Sequence, residues 1–205
     1  ITINETPTQP EINGATISAE VCEGGDITLT ATSATSGVEF EWTKGTATGT
    51  NTEIIAITDA DLTTDDGVYT VTAKNTNCSS VASEDFTLTV NALPTVTLGA
   101  GAKFCDGKET KLALTFTGTP DFTFKYDYTE GPTTGTVAGP YSLLNEELTL
   151  DKAGEYIITE VSDANCTATG LTVTQTIENL EELIVDPATA VAQCDDDNDA
   201  ANDKL

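Results

Sequence analysis

The sequence predicts an all-β protein, built as a tandem array of two small sandwiches with pieces of further units at either end. Three observations predict it. First, apolar and polar residues alternate in short runs: Ile27, Leu29 and Ala31 interleave with Asp26, Thr28 and Thr30, the period of a half-buried strand. Second, 40 of the 205 residues are threonine, a β-branched residue suited to the wet face of a sheet, and no helical period lasts beyond two turns. Third, a motif recurs. Val21-Cys22-Glu23-Gly24-Gly25 precedes the first of these strands, and Phe104-Cys105-Asp106-Gly107 precedes Leu112, Leu114 and Phe116. Cys194-Asp195 opens the motif a third time.

Taken in order, Ile1-Thr2-Ile3-Asn4 echoes Leu88-Thr89-Val90-Asn91, and a proline-marked stretch follows each. Residues 1–10 therefore read as the end of a preceding repeat plus a linker. The opening residue Ile1, in place of Met, reads as the start of a processed product or of a slice of something longer. The first full unit spans 11–92. Its strands are the one after Cys22, Val38–Trp42, Glu53–Ile57, the run through Tyr69, Val71 and Ala73, and the run through Phe86, Leu88 and Val90. The Gly/Thr-rich stretch between Trp42 and Thr52 reads as a loop, and Cys78 falls in an Asn/Ser turn.

The second unit spans 93–178. Phe122 and Phe124 take the places of Phe40 and Trp42, Glu147–Leu150 matches Glu53–Ile57, and Cys166 follows Asp163-Ala164-Asn165 as Cys78 follows Asn77. Leu171, Val173 and Ile177 close it. Residues 179–205 read as a linker with Pro187 and the start of a third, truncated acidic repeat.

These residues resemble the immunoglobulin-like sandwich. A lone Trp42 lies about twenty residues after Cys22, and Asp65-x-Gly67-x-Tyr69 is similar to the family's tyrosine corner, in which the phenol bonds to the backbone upstream. Gly154-x-Tyr156 repeats it with Lys152 in place of the aspartate. The resemblance implies tandem immunoglobulin-like β-sandwich domains with Trp42, Tyr69, Phe124 and Tyr156 in their cores. One departure stands out. Antibody domains carry a cysteine two residues after the tyrosine, whereas this chain has Val71 there and Cys78 beyond the strand.

Charge excludes several functions. With 34 acidic residues against 8 lysines, no arginine and no histidine, the net charge is −26. Phosphate backbones and anionic lipid surfaces repel such a chain, so nucleic acid is not an expected partner. No apolar run approaches the roughly 18 residues of a membrane span, so membrane insertion is not expected either. Without histidine, Ser-His and Cys-His devices are unavailable. A glycosidase-type carboxylate pair stays open in principle, but short loops on a small sandwich leave little room for a cleft. The chain reads as a non-enzyme.

Matching positions in two repeats point to disulfides Cys22–Cys78 and Cys105–Cys166, with inert reduced thiols as the alternative and the partner of Cys194 elsewhere. Zinc is disfavoured, since there is no CxxC and no histidine. Cysteines at repeated offsets also indicate an oxidising, extracellular setting. The carboxylates of Asp195, Asp197 and Asp199 alternate as in the first half of a calcium loop, although Ala200 stands where glycine is expected and no terminal glutamate follows. Calcium is the one cofactor considered, against a solvated tail. Asp59, Asp61, Asp65 and Asp66 form a second acidic cluster. Tyr126, Tyr128 and Tyr141 raise the idea of a sugar-stacking platform, while Trp42 reads as core.

The cysteine-led openings, Thr-rich strands, Asn-Cys-Ser/Thr turns, Leu93-Pro94-Thr95-Val96 linker and Cys194–Asp199 block together resemble the repeat regions of large Bacteroidota surface adhesins exported by type IX secretion. The resemblance implies a structural, adhesive stalk or surface filament at the cell surface. Its partners would be its own copies, neighbouring repeats, and cell-surface glycans or proteins. Two alternatives are a carbohydrate-binding or spacer module of a secreted polysaccharide-degrading enzyme, and a monomeric receptor ectodomain.

Overall fold

The computed structural model describes residues 4–44, 47–101, 103–105, 107–129 and 136–180. The chain divides into two compact units, Ile1–Leu93 and Pro94–Leu205. The described residues form sixteen strands and no helix.

Unit 1 contains β1 (Glu11–Ile12), β2 (Ser18–Cys22), β3 (Ile27–Thr32), β4 (Glu39–Lys44), β5 (Ala47–Asn51), β6 (Ile54–Ile57), β7 (Gly67–Lys74) and β8 (Phe86–Asn91). They make a three-stranded sheet, β1-β3-β6, and a five-stranded sheet, β2-β8-β7-β4-β5. Unit 2 contains β9 (Thr95–Leu98), β10 (Lys103–Phe104), β11 (Thr110–Thr117), β12 (Phe122–Tyr128), β13 (Thr136–Tyr141), β14 (Asn145–Leu150), β15 (Gly154–Ser162) and β16 (Thr167–Asn179). Its sheets are β14-β11-β9 and β10-β16-β15-β12-β13. Strand for strand, the second unit repeats the first. In each, a short strand runs parallel to the last one: β2 along β8, and β10 along β16.

Alternation explains the layering. Tyr69, Val71 and Ala73 are buried while the residues between them are half-buried, so β7 turns one face to the facing sheet. Leu29 and Ala31 from β3, and Phe86, Leu88 and Val90 from β8, complete that interior. In unit 2 the interior is aromatic. Phe116 stacks on Phe122 with centroids 4.7 Å apart, and Phe124 on Tyr141 at 5.8 Å.

Two sequence expectations change. The Gly/Thr-rich stretch after Trp42 contains a strand, because β5 pairs with β4 through a register shift between Glu41 and Thr43. The correspondence of Phe124 with Trp42 also shifts. Trp42 pairs with Val71, two residues after Tyr69, whereas the residue opposite Ile158, two after Tyr156, is Tyr126. An irregularity lies just beyond that pair: Lys125 faces Glu160 while Tyr126 faces Ile158, so Thr159 of β15 is the extra residue there. Phe124 is nevertheless buried.

Candidate functional site

Three features carry potential function: the tyrosine corners, the acidic loop of unit 1 and the cysteines. Trp42, Tyr69, Phe124 and Tyr156 are 1%, 4%, 1% and 5% exposed. The Trp42 indole Nε1 donates to the Thr52 carbonyl at 2.7 Å. The Tyr69 hydroxyl donates to the Asp65 carbonyl at 2.8 Å, and that of Tyr156 to the Lys152 carbonyl at 3.1 Å. The acceptor is backbone in both corners, so lysine serves at 152 as aspartate does at 65.

Burial, helped by Asp65 and Asp66, pushes the Tyr69 phenol up to about 12. Burial, with Tyr128, Tyr126 and Asp151 adding to it, does the same for Tyr156, also to about 12. A folded-state value above the unfolded one, near 10, means that this contribution to stability is intact below pH 10 and is lost as pH rises towards 12. Unit stability is therefore expected to carry no slope from this source up to about pH 10 and then to fall towards pH 12 by at most about 1.4 kcal/mol per pH unit for each corner. Urea midpoints read by Trp42 fluorescence at pH 8, 10 and 11 test unit 1, and Tyr69→Phe should flatten its alkaline slope.

The acidic cluster of unit 1 is occupied with its own backbone. Asp61 Oδ1 accepts from the amides of Thr63 at 2.7 Å and Thr64 at 3.0 Å, Asp65 Oδ2 from the Asp61 amide at 2.9 Å, and Asp66 Oδ2 from the Val90 amide at 3.2 Å. The bonds from Thr63, hydroxyl first and then amide, hold the Asp61 carboxyl below its usual range. Among the described residues, no group of three or more His, Cys, Asp or Glu side chains is placed to hold a metal. The Asp61 and Asp65 carboxylates thus hold the turn, and that of Asp66 holds the neighbouring strand β8. Asp195, Asp197 and Asp199 lie outside the described residues, as do Cys194 and Ile1–Ile3.

The tyrosines considered as a sugar platform pack inward. Tyr126 lies against Phe124 with centroids 6.0 Å apart, Tyr128 against Tyr156 at 5.0 Å, and Tyr141 against Phe116 at 6.0 Å. Tyr128 is buried, and Tyr126 and Tyr141 are half-buried against the core of unit 2.

The cysteine pairing needs correction. Cys78 is a free thiol, whereas Cys22, Cys105 and Cys166 are disulfide-bonded. Topology gives the reason. Cys22 ends β2 opposite Asn91, at the end of unit 1 where the chain leaves. Cys78 lies past Lys74 at the far end of β7, which runs roughly 23 Å away from Gly67 at about 3.3 Å a residue. In unit 2 the separation is larger. Phe104, beside Cys105, pairs with Asn179, whereas Cys166 directly precedes Thr167, roughly 40 Å away along β16. A disulfide needs Cα atoms within about 7 Å. The parallel pairing of β2 with β8, and of β10 with β16, is what sends each unit's two cysteines to opposite ends.

The two turn cysteines share one geometry. Asn75 Oδ1 accepts from the Asn77 and Cys78 amides at 3.0 and 2.8 Å, and Asp163 Oδ1 from the Asn165 and Cys166 amides at 2.8 and 2.7 Å. The strand-end cysteines match as well: the Cys22 carbonyl accepts from the Gly25 amide at 2.9 Å and that of Cys105 from Lys108 at 3.1 Å.

Residues 7–91 match the family described as Ig-like domain, CHU_C associated, and residues 93–174 match the Ig-like domain of nucleoporin POM152. The chain is a tandem of Ig-like β-sandwiches. Similar solved structures include Drosophila OTK, extracellular domains 3–5, at 11% identity and TM-score 0.46, covering 85% of this chain and 60% of that one. The three N-terminal domains of the bacteriophage RB49 Highly Immunogenic Outer Capsid protein match at 20% identity and TM-score 0.40, covering 77% of this chain and 55% of that one. DIP-gamma IG1+IG2 matches at 14% identity and TM-score 0.43, covering 83% and 96%. The Ig-like tandem thus spans less than two thirds of the first two structures. No curated protein matches the chain significantly. Among the described residues of this Ig-like tandem, no helix is long and apolar enough to cross a membrane.

Proposed function

We propose that this Ig-like tandem is a non-catalytic segment of an extracellular stalk or filament, one that serves attachment to surfaces or other cells. The observation that carries the reading is the repetition itself. Two units share one strand order, and β8 of the first ends at Asn91 only four residues before β9 of the second begins at Thr95. Repetition through so short a connection gains reach, and multiplied weak contacts gain grip.

Three further features support the setting. The CHU_C-associated match over residues 7–91 agrees with the resemblance to Bacteroidota surface proteins of the type IX secretion class. Disulfide-bonded cysteines fit an oxidising exterior. A net charge of −26 keeps neighbouring sheets soluble and apart. In this reading the partners are further copies of the chain, neighbouring repeats, and surface glycans or proteins of the attached cell. The inward packing of Tyr126, Tyr128 and Tyr141 disfavours the carbohydrate-module alternative, at least through that cluster.

Light scattering and negative-stain imaging of the native, full-length protein test the proposal. Long, thin, beaded particles are expected. A compact monomer with these units folded against a catalytic domain would overturn it.

A further inference from the structure

Strand β6 ends its sheet in unit 1, and among the described residues no strand pairs with its outer side. Register tells which groups that side presents. The Ala31 amide donates to the Glu53 carbonyl at 2.8 Å, so Glu53 bonds to β3, and the alternate residues after it, Ile55 and Ile57, turn their main chains the same way. Thr30, opposite Ile54, bonds in the other direction: its amide donates to Asn13 Oδ1 at 2.8 Å and its carbonyl accepts from the Asn13 amide at 2.9 Å. The main-chain groups of Ile54 and Ala56 therefore point away from the sheet. Of these, the Ile54 carbonyl accepts from Thr52 Oγ1 at 2.9 Å. The Ile54 side chain is 51% exposed.

The equivalent strand of unit 2 is protected. β14 carries Glu146 and Glu147, and Glu147 is ion-paired with Lys111 at 2.6 Å. Charge on an edge strand deters further pairing. β6 reads Ile54-Ile55-Ala56-Ile57, with no charge and no proline. The nearest acids stand just outside it, Glu53 before the strand and Asp59 after it, both exposed.

We propose that the outer edge of β6 takes an added strand from a protein partner, an extended segment with apolar residues at alternate positions between two basic residues six apart. The flanking charges select this occupant. A second copy of β6 would set acid against acid at both ends of the pairing, which is unfavourable. Basic residues at the two ends would instead meet Glu53 and Asp59, which are six residues apart. Apolar residues between them would extend the row of Ile55 and Ile57, which turn to the core. The inference rests on the topology of unit 1 alone and does not depend on the stalk reading.

The test is titration of the full chain, followed through its amide resonances, with the synthetic peptide Lys-Thr-Val-Thr-Val-Thr-Lys. Shifts centred on Ile54 and Ala56 are expected. The same peptide N-methylated at its threonines keeps its charge but loses the donors that would face β6, and it should bind at least about tenfold more weakly. Ala56→Pro removes an outward amide that β3 does not use, and Ile54→Lys puts a charge on the edge; each should weaken binding by about tenfold or more. No shifts at millimolar peptide, shifts on β14 in place of β6, or equal binding of the N-methylated peptide would overturn the proposal. So would equal binding of Glu-Thr-Val-Thr-Val-Thr-Glu, or self-association of the chain that Ala56→Pro abolishes, which would make a second copy the occupant. The peptides on the unsubstituted chain decide the matter even if a variant fails to fold.

Discussion

Replacing Trp42 with alanine is expected to cost unit 1 about 3–5 kcal/mol, the usual loss when a large aromatic leaves a packed core. The indole is 1% exposed, sits on β4 opposite Val71 and faces the interior that Leu29, Phe86 and Leu88 help to fill. Its Nε1 also donates to the Thr52 carbonyl, tying the end of the β4–β5 hairpin to the core. Natural domains hold roughly 0.05–0.15 kcal/mol per residue, so this loss is a large share of what a unit of this size has. Circular dichroism in urea should show the unit 1 transition moving to much lower denaturant while the unit 2 transition stays in place. Trp42→Phe should lose far less, because most of the volume is retained. Equal losses in alanine and phenylalanine would mean that the hydrogen bond, and not the packing, is the main contribution.

The core was legible because it is written in a period of two. Leu29 and Ala31, Tyr69, Val71 and Ala73, and Phe86, Leu88 and Val90 alternate inward in sequence and are buried in the fold. The tyrosine corner was legible for a different reason. A glycine two residues before a tyrosine fixes a backbone shape, and the Tyr156 corner forms with Lys152 upstream because only a carbonyl is needed. The irregularity between Lys125 and Tyr126 was not legible, since one extra residue in a strand leaves no compositional mark. The cysteines show the sharper limit. Their matching places in two repeats pointed to equivalence, and their local turns are indeed equivalent. Equivalence between repeats says nothing about proximity within one. The parallel course of β2 along β8 separates Cys22 from Cys78, and that long-range pairing has no local signal. In the acidic loop the spacing of carboxylates was legible, whereas the backbone amides of Thr63, Thr64, Asp61 and Val90 that they accept from depend on the folded turn and leave no mark in the sequence.

Gly154→Ala is expected to destabilise unit 2 more than Gly67→Ala destabilises unit 1, although the two glycines hold the same corner position. Their backbones are alike, with φ of +143° and +141°, a region that costs a residue bearing Cβ of order 1–3 kcal/mol. Their surroundings differ. At Gly67 a Cβ would meet only Lys44 Cε, at 3.4 Å, on a flexible side chain. At Gly154 it would lie 2.5 Å from Tyr128 Cε2 and 3.2 Å from both Cζ and Oη. That ring has no easy retreat. Its hydroxyl donates to the Ala153 carbonyl at 2.5 Å, and its face packs on Tyr156 with centroids 5.0 Å apart. Moving it disturbs the corner tyrosine, so a further 1–3 kcal/mol, typical of overpacking, adds to the backbone strain. Urea denaturation followed by circular dichroism should place the unit 2 midpoint of Gly154→Ala well below that of the unsubstituted chain, while the Trp42 fluorescence midpoint, which reports unit 1, stays unchanged. Equal losses at the two glycines would show that backbone strain alone sets the cost and that the Tyr128 ring yields freely.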